Sequence, residues 1–339
     1  MKAKVSVCVP VYRVAGYIEA CVRSLMEQTL DNVEYIFVDD CSPDNSVELL
    51  EATVARYPNR RDSVTLLRNA ENMGPGLSRK RAAEAATGEF IYFPDSDDWI
   101  EPDMLETMYL KAIAENADIV RCHILCHSEK STRRMPGRID YTLDQWRRQM
   151  IVCENVYIGL TTSLIRGTIV KKILSGYPSQ RLYSFEDYLL AVEAYFYAQK
   201  VTTIDSDFYH CNTDNPNSVT KTVSEKTIES IIIVAEKLYD FCAQRPDSST
   251  YLPLVRSFMA ASKFRFLADR RSWNPERWRN TWPEVNSPKY IRIIGIKSRI
   301  HRIIAKLAQH HHDKSAYLVL CILNILDSTR DKYRRLVRR

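Results

Sequence analysis

The sequence predicts an α/β fold, a mostly parallel sheet with helices on both faces, followed by a helical C-terminal extension. Three observations carry that prediction. Short apolar, β-rich runs alternate with helical segments through residue 127, the rhythm of right-handed βαβ units. The run from Val33 to Val38 is nearly all apolar, as a strand covered on both faces is. Two runs end in acids, Asp39-Asp40 and Asp95-Ser96-Asp97-Asp98. Ligands of open α/β sheets bind just beyond such strand ends.

The elements follow in order. Val5, Val7, Val9 and Val11 alternate with Ser6, Cys8 and Pro10 in a first strand that ends at Tyr12-Arg13. Gly16 to Gln28 reads as a helix with Ile18, Cys21, Val22 and Leu25 on one side. After the second strand, Cys41 to Asn45 forms a turn and Val47 to Tyr57 a helix. Val64 to Leu67 is the third strand, Asn69 to Gly76 a loop with two glycines, and Leu77 to Ala86 a helix that Gly88 stops. Phe90 to Phe93 is the fourth strand. Pro102 opens a helix from Asp103 to Asn116, and Asp118 to Leu125 reads as one fifth strand. From Ser128 to Tyr183 the pattern loosens, with Trp146, Tyr157 and Thr161-Thr162-Ser163 as candidate linings of a second pocket. Glu186 to Gln199 is a helix, Val201 to Ile204 and Phe208 to Cys211 are short strands, and Asn212 to Lys221 is a polar loop. Two helices follow, Glu225 to Gln244 and Tyr251 to Arg271. The expected division is a domain at 1–222, with a nucleotide-sugar half near 1–127 and an acceptor half near 128–222, then a helical region at 223–339.

Composition narrows the class. With 339 residues and 45% hydrophobic content, the chain can bury a sizeable core. No leader-like segment follows Met1, and the longest strongly apolar run, Ala316 to Leu326, is too short to cross a bilayer. The 9 cysteines are scattered without a CxxC pair, which points to a reduced, intracellular protein. Cys122-His123 with Cys126-His127 reads as core and strand residues more readily than as a tetrahedral metal site. Charge is uneven. Residues 289–339 hold 13 of the 48 lysines and arginines but only 3 of the 42 acids. There Ile293, Ile296, Ile300, Ile303 and Leu307 repeat at three and four, with Arg292, Arg299, Arg302 and Lys306 on other faces. Such a basic amphipathic helix packs on the body or a second copy, or lies on an anionic membrane surface with help from Arg334, Arg335, Arg338 and Arg339. The tail has few aromatics and no recognisable nucleic-acid-binding fold.

The acids at 95–98 suggest chemistry. Asp95 and Asp97 sit two apart, a spacing that shares one face of an extended chain. Crowded carboxylates repel unless a proton or cation intervenes, and hard oxygen ligands suit Mg²⁺ or Mn²⁺. The competing reading is a turn that uses Asp as a hydrogen-bond acceptor. A second Asp-Ser-Asp at 205–207 reads as a turn between two short strands.

Five segments occur together in order: Val5–Tyr12 (VSVCVPVY), Val38–Ser42 (VDDCS), Asn72–Arg79 (NMGPGLSR), Gly88–Asp98 (GEFIYFPDSDD) and Phe185-Glu186-Asp187. Together they resemble glycosyltransferase family 2, inverting enzymes of GT-A fold that use nucleotide-sugar donors, over roughly residues 4–221. The resemblance implies roles. Pro10 and Tyr12 would border the donor base, and Asp40 would accept the uracil N–H of a UDP-sugar. Arg79 would contact the diphosphate or hold a neighbouring acid. Asp95-Ser96-Asp97 would be the DxD motif, with Asp97 on Mn²⁺ or Mg²⁺ and Asp95 on the ribose or a metal-bound water. Asp187 would be the general base, with Glu186 in the same pocket; the rival reading is a capping box from Ser184. His210 would reach the metal or diphosphate, and Ser218 and Thr220 would lie in a loop over the phosphates.

The chain departs from the family pattern at Arg13, where Asn is common, and at Cys41, where Gly is usual. It departs again at Lys80, Ala82, Thr162 and Ser163. The expected activity is transfer of a hexosyl or N-acetylhexosaminyl group from a UDP-sugar to a glycan or lipid-linked acceptor, at the cytoplasmic face of the cell membrane. Such a protein could act as a homo-oligomer. One rival is a non-catalytic nucleotide-sugar-binding protein on a degenerate fold. The other is a nucleotidyltransferase, which usually brings a Gly-rich phosphate loop after the first strand; here that position holds only Gly16.

Overall fold

The computed structural model describes residues 2–135, 140–153, 157–215, 224–263, 273–287, 290 and 298–321. The chain divides into two compact units, Met1–Thr222 and Val223–Arg339.

The first unit begins with β1 (Val5–Val11), every residue of which is buried. Helix α1 (Ile18–Met26) lays Ile18, Cys21, Val22, Leu25 and Met26 inward. Strand β2 (Val33–Asp39) pairs with β1 in parallel from Val5–Val33 to Val11–Asp39. Then come α2 (Ser46–Val54), the single turn α3 (Pro58–Arg61), β3 (Val64–Arg68), α4 (Pro75–Ala85) and β4 (Phe90–Tyr92). Pro10 is tolerated in so central a strand because β1 runs past its last pair with β4, Val7–Tyr92. At Pro10 the chain of β4 has already turned away, so one edge of β1 has no ladder to complete.

The following elements are shorter: β5 (Trp99–Ile100), α5 (Met104–Glu115), β6 (Ile119–Arg121), β7 (Ile124–Ser128) and β8 (Ser131–Arg134). After them come α6 (Leu143–Val152), β9 (Ser163–Arg166), α7 (Gly167–Ser175), α8 (Glu186–Tyr197), β10 (Val201–Thr203) and β11 (Tyr209–Asn212). The large sheet has the order β10-β6-β9-β4-β1-β2-β3, and all its pairings are parallel except the two that β9 makes with β4 and β6. A smaller sheet, β5-β11-β7-β8, stands beside it.

Several expectations need correcting. The single fifth strand from Asp118 to Leu125 is two strands in two sheets. The break falls at Cys122-His123, whose amides turn to Thr162 O (3.0 Å) and Ser206 O (2.9 Å). The loosened stretch after Ser128 holds α6, β9 and α7, with β9 deep in the large sheet. Pro102 precedes the helix it was expected to open, since Asp103 occupies the N-cap. Ser184 caps nothing: the N-cap of α8 is Phe185, in the left-handed region at φ 62, without a side-chain cap.

The second unit contains α9 (Glu225–Ala243), started by Ser224 accepting the Thr227 N–H, and α10 (Ser248–Ser262). Its helix Ser298–Gln309 buries Ile304 and Ala308, while Ile303 is 49% exposed. The inward stripe is therefore one residue out of phase with the expected 303/307 face. Ile293, Ile296, Arg292, Ser218, Thr220 and the arginines at 334, 335, 338 and 339 lie outside the described residues. Among the described residues no helix is long and apolar enough to cross a membrane.

Candidate active site

The C-terminal ends of β1, β2 and β4 bring most of the expected residues to one rim. Tyr12 follows β1 directly and is 37% exposed, with the Arg13 guanidinium 5.6 Å from its ring centre. Arg13 has φ 54 and Cys41 has φ 61. Both are positions where the family pattern favours Asn or Gly, and the backbone gives the reason: those residues enter the left-handed region at least cost.

Asp40 is buried just past β2. Its Oδ1 accepts from Asn69 Nδ2 (2.7 Å) and the Met73 N–H (2.8 Å), and its Oδ2 from the Gly74 N–H (2.7 Å). Asp40 thereby anchors the loop between β3 and α4, a task with no signature in the sequence. Pro10 is buried within β1.

That loop delivers Arg79, whose side chain is 5% exposed. Arg79 Nη2 donates to Asp95 Oδ1 at 2.6 Å and Nη1 to Glu186 Oε1 at 3.0 Å. Of the two expectations for Arg79, the structure shows the one that holds neighbouring acids. One guanidinium thus joins the acids after β4 to the acids that begin α8, and both ion pairs are bent into place by the fork geometry of arginine.

The four acids differ in environment. Residues 95–98 form a turn closed by the Asp98 N–H on Asp95 O (3.3 Å), so the extended spacing argument does not describe their backbone. Even so, Asp95 and Asp97 are half-buried while Ser96 and Asp98 are buried. Burial, then the charge of Asp95, raises Asp97 above the usual carboxylate range, although Asn215 Nδ2 donates to its Oδ2 at 2.8 Å. Asp98 is also raised, by burial and then by Asp97 and Asp95. It accepts from the Asn212 N–H (2.7 Å) and from Tyr209 Oη, which ties the turn to β11. Sequence reasoning passed over Asp98 as a site residue; its signal was its place as the third acid of the run, opposite in phase to the other two.

Asp187 lies in the first turn of α8 and accepts the Tyr188 N–H at 2.8 Å. Burial first, and then the charge of Glu186, pushes it up to about 7, with Arg79 pulling the other way. A carboxyl poised near neutrality suits proton transfer at physiological pH.

His210 does not fit the metal role expected of it. Its Nε2 bonds to Glu101 Oε1 (2.7 Å) and its Nδ1 to His127 Nε2 (2.9 Å), so both ring nitrogens are taken. Its ring stacks on Trp99, with centroids 5.3 Å apart. A cavity of about 430 Å³ opens beside this stack, between α1 and β5, and none of the expected site residues lines it.

Asp95 and Asp97 fit a divalent cation on the observation that burial and the neighbouring charge of Asp95 disfavour the charge of Asp97. Asp95 gives its Oδ1 to Arg79 and Asp97 its Oδ2 to Asn215. Among the described residues no group of three or more His, Cys, Asp or Glu gathers to hold a metal. The chain would therefore supply two carboxylates, with substrate oxygens and water completing the shell, as Mg²⁺ commonly requires.

Comparison with known proteins identifies the family and the fold. The family model for glycosyl transferase family 2 matches residues 6–186. A Bacillus subtilis protein named as glycosyltransferase EpsH is 31% identical over 288 residues, 81% of this chain and 81% of its own length. The poly(ribitol-phosphate) beta-N-acetylglucosaminyltransferase TarS of Staphylococcus aureus is 27% identical over 221 residues, 61% of this chain and 35% of its own. A crystal structure of S. aureus TarS 1–349 in complex with UDP-GlcNAc superposes with a TM-score of 0.71 at 20% identity, covering 97% of this chain and 92% of that one.

Proposed function

The chain belongs to glycosyltransferase family 2, and from that premise we propose that it transfers a sugar from a UDP-sugar to a hydroxyl group of a glycan or lipid-linked acceptor, with inversion. That it is a glycosyltransferase of GT-A fold acting on a nucleotide sugar follows from the family and from its relatives. The uridine nucleotide, the base and the acceptor are our reading. The observation that carries it is the Asp95–Arg79–Glu186 bridge, which puts Asp187 one residue from a group bound to the acid turn.

Asp187 would take the proton of the acceptor hydroxyl as its oxygen attacks the anomeric carbon from the side opposite the diphosphate. Tyr12 would face the base, and Asp40, through its grip on Met73 and Gly74, would hold the loop beside it. Asp97 and Asp95 would hold Mn²⁺ or Mg²⁺, which supplies Lewis-acid neutralisation of the departing diphosphate. The likeness to a chain crystallised with UDP-GlcNAc supports the choice of uridine. The test is UDP release with Mn²⁺ across a panel of UDP-sugars for wild type, Asp97→Ala and Asp187→Asn. Loss of turnover in both variants is expected, and full turnover in both would refute the assignment.

The basic tail at 289–339 would place the enzyme on the inner face of the membrane. In its described part, exposed Ile303 and Lys306 support a surface-seeking face. Deleting 289–339 should lower co-sedimentation with anionic vesicles while donor hydrolysis survives. Unchanged sedimentation would assign the tail to packing or self-association.

A further inference from the structure

We propose that Tyr177 and Arg181 are positioning residues that key the segment 177–187 into two glycine notches at the start of α4, so that one loop registers the nucleotide end of the cleft with the acid pair Glu186-Asp187. The proposal rests on the reading of Asp187 as the base. Neither residue carries a signal in the sequence.

The first notch is Gly76. A Cβ built there would lie 1.9 Å from Tyr177 Oη, 2.8 Å from its Cζ and 3.0 Å from Glu186 Cγ. The tyrosine hydroxyl and the Glu186 stem therefore meet over one bare Cα, and no other residue type leaves room for both. Tyr177 is buried, and its hydroxyl has no hydrogen-bond partner among the described residues. Glu186, held on its far side by Arg79, is the carboxylate next to it.

The second notch is Gly74, with φ 85. A Cβ there would meet Arg181 Cγ at 3.1 Å and Nε at 3.2 Å. Arg181 Nη1 donates to Asn72 O at 2.9 Å, while its Nε and Asn72 Oδ1 are buried without partners among the described residues. The segment is seated by fit into the two glycines.

The loop that bears the notches is itself fixed from the other side. Asp40 holds the Met73 and Gly74 N–H groups, and Asn69 bridges Asp40 to Ser78 Oγ at 3.0 Å. A continuous path of contacts thus runs from Asp40, beside the expected donor base, through Gly74 and Gly76 to Tyr177 and Arg181, and on to Glu186. A nucleotide that stiffens the loop would stiffen the segment carrying the base.

The test is hydrogen exchange of 177–187, with and without UDP and Mn²⁺, in the full chain. In the wild type, UDP should slow exchange there at least fivefold. In Gly76→Ala and Arg181→Ala that response should vanish, with UDP affinity by calorimetry within threefold of wild type. Tyr177→Phe should keep most of it, because the ring still fills the notch. With the sugar nucleotide the wild type turns over fastest, Arg181→Ala should lower kcat at least tenfold and leave donor KM within twofold. Should Gly76→Ala not fold, Arg181→Ala and Tyr177→Trp carry the same test. A wild-type segment indifferent to UDP, or variants that respond as the wild type does, would overturn the keying. Asp187→Asn with wild-type kcat would instead refute the base and leave the exchange result standing.

Discussion

The tripeptide Asp-Ser-Asp occurs twice in this chain, at 95–97 and at 205–207, and the two copies behave as different chemical groups. At 205–207 the acids face a cation and water. Asp205 is 61% exposed, and Arg134 reaches both Asp205 Oδ1 (2.7 Å) and Asp207 Oδ1 (2.6 Å). The hydrogen bond from Arg134 holds Asp205 below the usual carboxylate range. At 95–97 the cation that reaches the acids among the described residues, Arg79, is shared with Glu186, and burial together with the charge of Asp95 raises Asp97. One copy has been neutralised and is chemically finished. The other lies half-buried at the rim of a parallel sheet, with Asp97 raised above the usual carboxylate range. Sequence identity at a motif carries no function until the field around it is known.

The largest effect should separate the copies outright. Asp97→Ala is expected to lower kcat about a thousandfold, the rate equivalent of losing several kcal/mol of charge stabilisation. Asp205→Ala and Asp207→Ala should each leave kcat within twofold. UDP release under saturating donor measures all three.

Next, Asp187→Asn should cost roughly 10²–10⁴-fold in kcat, the usual worth of a positioned base. The wild-type rate should fall on acidification through about 7, because Asp187 must be ionised to accept a proton. Stability gives the same group a second signature. The folded carboxyl keeps its proton up to about 7, whereas the unfolded one releases it near 3.8. The wild type therefore loses stability as pH rises from about 4 to 7, and Asp187→Asn, spared that loss, should melt higher above pH 7 and equally at pH 4. Thermal denaturation across pH reads it directly.

Arg79→Ala sharpens the comparison from the side of the cation. It leaves Asp95 and Glu186 without their buried partner and should destabilise by about 3 kcal/mol, as broken buried pairs do. Arg134 stands among exposed pairs, so Arg134→Ala should cost about 1 kcal/mol at most. Denaturant titration of both variants compares them.

The smallest effects lie in the strained backbone beside the site. Cys41→Gly relieves a left-handed residue and should stabilise by about 1 kcal/mol. Arg13→Asn should give a smaller gain, because it also removes the guanidinium from the Tyr12 ring.

Much of the first 120 residues was legible because each strand there is an apolar run with polar punctuation and a helix of matching phase beyond it. Legibility failed where local pattern and tertiary role part company. β9 is four residues in a stretch with no alternation, and it is reversed in a parallel sheet. β8, Ser-Thr-Arg-Arg, is wholly exposed and carries no apolar signal. The break between β6 and β7 is set by partners at Thr162 and Ser206, far along the chain. In the site, acids at strand ends were readable from their position alone. The loop-anchoring work of Asp40 was not, since two of its three donors are backbone N–H groups that every sequence has. His210 was misread for a related reason: the partners that occupy its ring, His127 and Glu101, lie 83 and 109 residues away. Glycines 74 and 76 looked like ordinary loop residues until the side chains filling their notches were seen.

The central claim is that the acids at 95–97, and not their twins at 205–207, grip a divalent cation with the donor diphosphate. Calorimetric titration of Mn²⁺ into the protein saturated with UDP tests it most directly. One site is expected in the wild type and in the double variant Asp205→Asn/Asp207→Asn, and loss of that site in Asp97→Asn. Equal Mn²⁺ binding by Asp97→Asn and the wild type would contradict it.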